Sequence, residues 1–176
     1  MFKVRVRMFL LFPILHLIVV WTLLSNSNWV LILILGIILY YPIHDLGFSI
    51  GYHKLFAHRT FDPKGFFPYL TTFICMLALY GGPLASSLIH REHHKFSDTD
   101  RDPHSPIKGF WHAYIGWTWS YSKKGNHLLK IHDLIKDYPW MNKIEKYDLV
   151  VPLVVYPILF WISPVVGCAV LVACLL

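Results

Sequence analysis

The sequence predicts an all-α integral membrane protein: a transmembrane helical hairpin, a cytoplasmic helical cap carrying a histidine-rich metal site, and a truncated second hairpin. Three observations carry that expectation. Of 176 residues, 56% are hydrophobic and mean hydropathy is +0.49, more apolar than a soluble domain of this length tolerates. Apolar runs of membrane length recur along the chain. Five of the eleven histidines fall in two tight groups beside those runs.

The first apolar segment, residues 8–24, sits near the lower limit of ~17 residues for a bilayer crossing. It follows Lys3, Arg5 and Arg7 and runs into Ser25, Asn26, Ser27 and Asn28, a polar turn with no small-residue cleavage site. An uncleaved membrane helix is expected there, not a secretory signal. Residues 29–50 form the second segment, long enough at ~1.5 Å per residue to cross ~30 Å of hydrocarbon. The turn between them holds no basic residue, whereas thirteen of the sixteen Lys and Arg lie from Lys54 to Lys146. Both hairpin ends therefore belong on the positive, cytoplasmic side, as a multi-pass topology requires.

Residues 66–89 are apolar but broken at Gly81, Gly82 and Pro83. Two crossings need ~40 residues, and a single one would carry Arg91, Lys95, Arg101 and Lys108 to the opposite side. An interfacial or re-entrant course is expected. Residues 90–147 are polar and aromatic and form the cap. Its cluster Trp111–Trp119 reads equally as an interfacial aromatic belt or as packing within the cap. The last stretch, 149–176, breaks near Ser163 and Pro164, giving a third crossing and the start of a fourth. The whole chain, 1–176, reads as a single domain.

Net charge is +6 and the isoelectric point about 9.2, yet the basic residues flank apolar runs and build no regular basic helix. They read as topology signals and exclude nucleic acid as a partner. Cys75, Cys168 and Cys174 all lie in apolar surroundings without a CxxC pair, so buried thiols are expected.

The histidine groups carry the chemistry. In HREHH, His93 and His94 fall ~60° behind and ~40° ahead of His90 at ~100° per residue, so all three share one helical face. In HKLFAH, the five-residue step from His53 to His58 rotates ~140° on an ideal helix. Two rings so placed flank a pocket between helices, or mark a helix end that unwinds. His16 and His127 read as ordinary packed or solvated residues, although His16, inside an apolar segment, calls for a polar partner. No HExxH is present and no thiolate joins either group, which removes zinc-protease, iron–sulfur and structural zinc classes. A histidine-rich open site beside a membrane points to iron or copper and oxygen chemistry.

At these residues the sequence resembles the membrane fatty-acid desaturases of the delta-9 type. GYHKLFAHRTF, Gly51–Phe61, resembles that family's first histidine box. HREHHKFSDTDRDPHSPIKGFW, His90–Trp111, resembles the second box and the segment after it. Asp133–Tyr147 is similar to the segment before the second membrane hairpin. The resemblance implies a site for two irons on the cytoplasmic side, with O2 as co-substrate and His53, His58, His90, His93 and His94 as ligands. Asp98, Asp102 and His104 match the polar segment after the second box, where orienting the ligand histidines is their expected role, beside the plainer reading of a polar loop. The implied partners are membrane lipid, an acyl-lipid or acyl-CoA substrate, and an electron donor such as ferredoxin or cytochrome b5. Ala85 and Ser86 stand where the family often carries an acidic–tryptophan pair, and Leu88 and Ile89 where the acyl-CoA members place a basic–acidic pair, which slightly favours an acyl-lipid.

The family's third box, HxxHH, has no counterpart in this sequence. Part of the metal site is therefore expected from elsewhere, such as a companion chain. Two alternatives stay open at this stage: a membrane di-iron hydroxylase, and an inactive remnant that binds metal or a partner.

Overall fold

The computed structural model describes residues 11–120 and 130–176. The start of the first apolar segment at Met8, the basic residues Lys3, Arg5 and Arg7, and His127 lie outside the described residues. Every element among the described residues is helical.

Helix α1, Phe12–Ser25, begins with Pro13 in its first turn, where the missing N–H removes no intrahelical bond. It ends at the polar turn, where Asn26 Oδ1 accepts the Asn28 N–H at 2.9 Å. His16 finds its polar partner within its own helix: its Nδ1 lies 2.8 Å from the Phe12 carbonyl oxygen. Helix α2, Trp29–Pro42, does not stop at residue 50. It passes directly into a π-helical segment, Ile43–Ala57, changing register just after Pro42, which has no N–H to donate. The continuous helix Trp29–Ala57, 29 residues, is the one span among the described residues long and apolar enough to cross a membrane.

The stretch around residues 66–89 folds as two helices. Helix α3, Phe67–Leu77, lies along the π segment, and Gly51 permits the approach: a Cβ there would stand 2.6 Å from Thr71 Cβ. Leu79 and Gly81, at φ 63° and 83°, then turn the chain in left-handed conformation. Helix α4, Pro83–Phe96, starts on a proline suited to a first helical turn. It runs unbroken through residue 90, so the second histidine group sits on the same helix as the end of that apolar stretch. Beyond it come the short helices α5, Trp117–Ser120, α6, His132–Asp137, and α7, Trp140–Ile144. The chain closes with α8, Val150–Ile162, and α9, Pro164–Leu175. Ser163 separates these two, its Oγ accepting the Val166 N–H at 3.4 Å, a serine cap followed by proline.

Among the described residues, three buried clusters hold this together. Ile32 on α2 meets Cys168, Ala169 and Val172 on α9. Leu15, Leu77, Tyr156 and Leu171 join α1, α3, α8 and α9. Tyr52, Leu55, Phe56, Leu84, Leu88, Leu134 and Met141 join the π segment, α4, α6 and α7. The outward faces stay apolar: Leu17, Trp21, Leu24, Leu153 and Trp161 are all exposed, a surface suited to lipid. Cys75 and Cys168 are buried and Cys174 half-buried, and all three are free thiols, as expected.

Candidate metal centre

Two helices bring four histidines to one point. His53 and His58 come from the π segment and the residue that follows it; His90 and His94 come from α4. Their ligand nitrogens all lie within 4.8 Å of one another. His90 Nε2 stands 3.1 Å from His58 Nε2 and 3.0 Å from His94 Nε2.

The α-helical geometry predicts that His53 and His58 diverge, and the structure differs. In a π turn the backbone bond runs from residue i+5 to residue i, so a side chain five positions on stands one turn above. The His58 N–H donates to the His53 carbonyl at 3.0 Å, and the two ring centroids lie 4.7 Å apart. The chain leaves through Arg59 in left-handed conformation, φ 56°, while the Thr60 N–H returns to the Lys54 carbonyl at 3.0 Å.

His93 shares the α4 face but joins a second group with Asp102 and His104. Its Nδ1 lies 3.0 Å from both Asp102 carboxylate oxygens. Asp102, 1% exposed, also accepts the backbone N–H of Asp98 and of His104, each at 3.1 Å. Burial pushes the Asp102 carboxyl up, but the hydrogen bonds from His93 and those two N–H groups outweigh it and hold it below the usual range. Asp98 thus contributes its backbone N–H to this network. The His104 ring stacks on His93 at 4.0 Å and touches Trp117 at 5.5 Å. Burial, then the neighbouring His93, lowers the His104 pKa.

Burial and the surrounding imidazoles, His53 first, lower the His90 pKa from 6.5 to about 3. His90 is therefore neutral at pH 7, with a lone pair for a metal. Two nitrogens each ~2.1 Å from one ion and at right angles to each other lie ~3.0 Å apart. The observed Nε2 separations of 3.0 and 3.1 Å match adjacent positions around one such ion. An all-imidazole donor set suits iron, copper or zinc, so the residues fit a first-row transition metal.

Several residues that serve the site escaped the sequence reading. Arg91 gives its guanidinium to the carbonyls of Phe56 and Ala57 and to Asp133; burial opposes, but Arg91 holds the Asp133 carboxyl below its usual range. Arg59 pairs with Asp137, and Lys130 with the buried Glu92. Tyr40 stacks on His44 at 5.1 Å and His44 meets Phe48 at 5.6 Å in a tilted contact, leading along the helix towards His53, a four-residue spacing visible in the sequence. Of the aromatic cluster, Trp111 and Tyr114 are exposed, whereas Trp117 turns to His104.

Among the described residues every element is helical, and two adjoining histidine-rich groups, His53, His58, His90 and His94 beside His93, Asp102 and His104, offer donor sets that could hold metal ions. Comparison with known proteins is more specific. Over 139 residues, 79% of this chain and 51% of the relative, it is 31% identical to the sn-1 stearoyl-lipid 9-desaturase of Anabaena variabilis. It is 42% identical over 79 residues, 45% of the chain and 26% of the relative, to the Delta-9 acyl-lipid desaturase 2 of Arabidopsis thaliana. It is 40% identical over 80 residues, 46% of the chain and 17% of the relative, to the probable acyl-CoA desaturase of Schizosaccharomyces pombe. No family model matches the chain. The chain is thus homologous to the delta-9 acyl-lipid and acyl-CoA desaturases, and spans about half the length, or less, of these curated relatives.

Proposed function

We propose that this chain carries part of the di-iron centre of a membrane-bound fatty-acyl desaturase, which places a double bond in an acyl chain at the expense of O2. The observation that carries the reading is the convergence of His53, His58, His90 and His94 within 4.8 Å in a chain homologous to delta-9 desaturases. Bound iron would supply the oxidation of an unactivated methylene group.

The chain's own residues hold and orient. His53, His58, His90 and His94 would hold one ion. His93, its Nδ1 held on Asp102, would offer its Nε2 to a second; a carboxylate behind a ligand histidine sets its tautomer and raises its basicity. Further ligands for the second ion would come from outside these five histidines, on the same chain or a companion. Phe48, 6.4 Å from the His53 ring and 4.9 Å from Tyr80, offers an apolar wall to an acyl chain approaching from the membrane side. The substrate is an acyl-lipid or acyl-CoA, and an electron donor such as ferredoxin or cytochrome b5 supplies reducing equivalents. Trp29–Ala57 crosses the membrane as part of a multi-pass topology. The basic residues Lys54, Arg59, Arg91 and Lys95 beside the histidines support a cytoplasmic position for that end.

Iron content per chain tests this, in detergent-purified protein, for wild type and for the double variant His90→Ala with His94→Ala. Wild type is expected to hold iron that the double variant loses. Equal content in both would refute a centre at these residues.

A further inference from the structure

The two histidine pairs sit on separate segments, so something must fix one against the other. The π segment ends at Ala57, and the last carbonyls of a helix have no partner within it. Phe56 and Ala57 are 0% and 7% exposed, so water does not readily serve their carbonyls. Arg91 does. Its Nη2 donates to the Phe56 oxygen at 2.9 Å and its Nε to the Ala57 oxygen at 2.9 Å. Its Nη1 donates to the Lys130 oxygen at 2.7 Å. Asp133 accepts the two remaining protons in a forked pair, 2.7 Å each. A guanidinium has five N–H donors in a fixed plane, and all five are used here.

Sequence neighbours give this contact its leverage. Arg91 follows His90, and Ala57 precedes His58, the two histidines whose Nε2 atoms lie 3.1 Å apart. We propose that Arg91 is a positioning residue for the metal centre: by capping the end of the segment that carries His53 and His58, it sets the spacing between the two histidine pairs. Asp133 in turn fixes the orientation of the guanidinium. The inference rests on the reading that these four imidazoles hold a metal. Lysine cannot substitute, because an ammonium offers three donors from a point and cannot span two consecutive carbonyls and a carboxylate.

The test is cobalt(II) titration of the full chain in detergent, following affinity by calorimetry and coordination by the visible absorption of the bound ion. Wild type, His90→Ala, Arg91→Lys and Asp133→Asn are compared, with helicity and thermal midpoint recorded for each. Arg91→Lys is expected to bind cobalt about 10–100-fold more weakly, the range for losing a group that orients ligands, and with a changed absorption spectrum. Asp133→Asn is expected to show a smaller loss in the same direction. A folded Arg91→Lys with a lowered midpoint but wild-type affinity and spectrum would overturn the proposal, because a purely structural role moves only the midpoint. Should Arg91→Lys not fold, unchanged affinity and spectrum in Asp133→Asn overturn it instead. If wild type and His90→Ala bind cobalt alike, the metal reading itself fails, and with it this inference.

Discussion

Glu145 and Gly82 offer the sharpest quantitative test of how the second histidine helix is anchored. The Glu145 carboxylate accepts the N–H of Leu84 at 2.9 Å and of Ala85 at 3.0 Å, two of the orphan donors at the start of α4. Gly82 lies so close that a Cβ would meet the carboxylate at 2.4 Å. Hydrogen bonds to charged groups are worth ~1.5–3 kcal/mol, and deleting a helix cap costs ~0.5–2 kcal/mol. Glu145→Ala, which removes two such bonds, should therefore cost about 2–3 kcal/mol. At ~2–4 °C per kcal/mol for a chain of this size, the thermal midpoint falls by about 4–12 °C. Gly82→Ala should cost a similar amount, because its methyl group drives the carboxylate away. The double variant should be little worse than either single one, a coupling of about 2 kcal/mol. Thermal unfolding followed by helical circular dichroism in detergent measures all four corners of the cycle. Additive losses, or a neutral Gly82→Ala, would refute the capping argument.

Three further outcomes are expected. Asp102→Ala strips the His93 Nδ1 of its acceptor and leaves the Asp98 and His104 N–H groups unserved; metal affinity should fall about 10–100-fold by equilibrium titration. Metal-free protein should lose stability as pH falls from about 6.5 towards 3, because unfolded His90 takes up a proton that folded His90 refuses. Thermal midpoints across that range should fall less steeply in His90→Ala. Gly36→Ala would put a methyl group 2.6 Å from Val172 Cγ1 and should cost about 1–3 kcal/mol by overpacking, with Val172→Ala restoring much of the midpoint.

What could be read from the sequence follows the range of the interactions involved. The helical class and the HREHH face are local, set by a period of a few residues, and both are seen. The break at Ser163 and Pro164 is equally local and falls where those residues place it. Hydropathy marks where the second apolar segment ends, near residue 50, but does not register that a histidine-bearing stretch prolongs the same helix to Ala57. The π register escaped for a related reason: HKLFAH has no composition that distinguishes it from an α turn. Arg91 and Glu145 act on partners 34 to 61 residues away, and a charge within a helix pattern carries no sign of whether it faces solvent or a neighbour's carbonyls. The split of the second group, His90 and His94 to one cluster and His93 to Asp102, turns on small angular differences decided by packing.

The π conformation of Ile43–Ala57 bears on anyone wishing to transplant this centre. HKLFAH copied onto a regular designed helix would throw its two imidazoles ~140° apart and lose the pair. Shortening the interval by one residue would bring them into line on that helix, at the cost of a different offset along its axis. The portable unit is therefore a backbone as much as a string of letters: the extra residue per turn, the left-handed exit at Arg59 and the arginine that receives the freed carbonyls travel together or not at all.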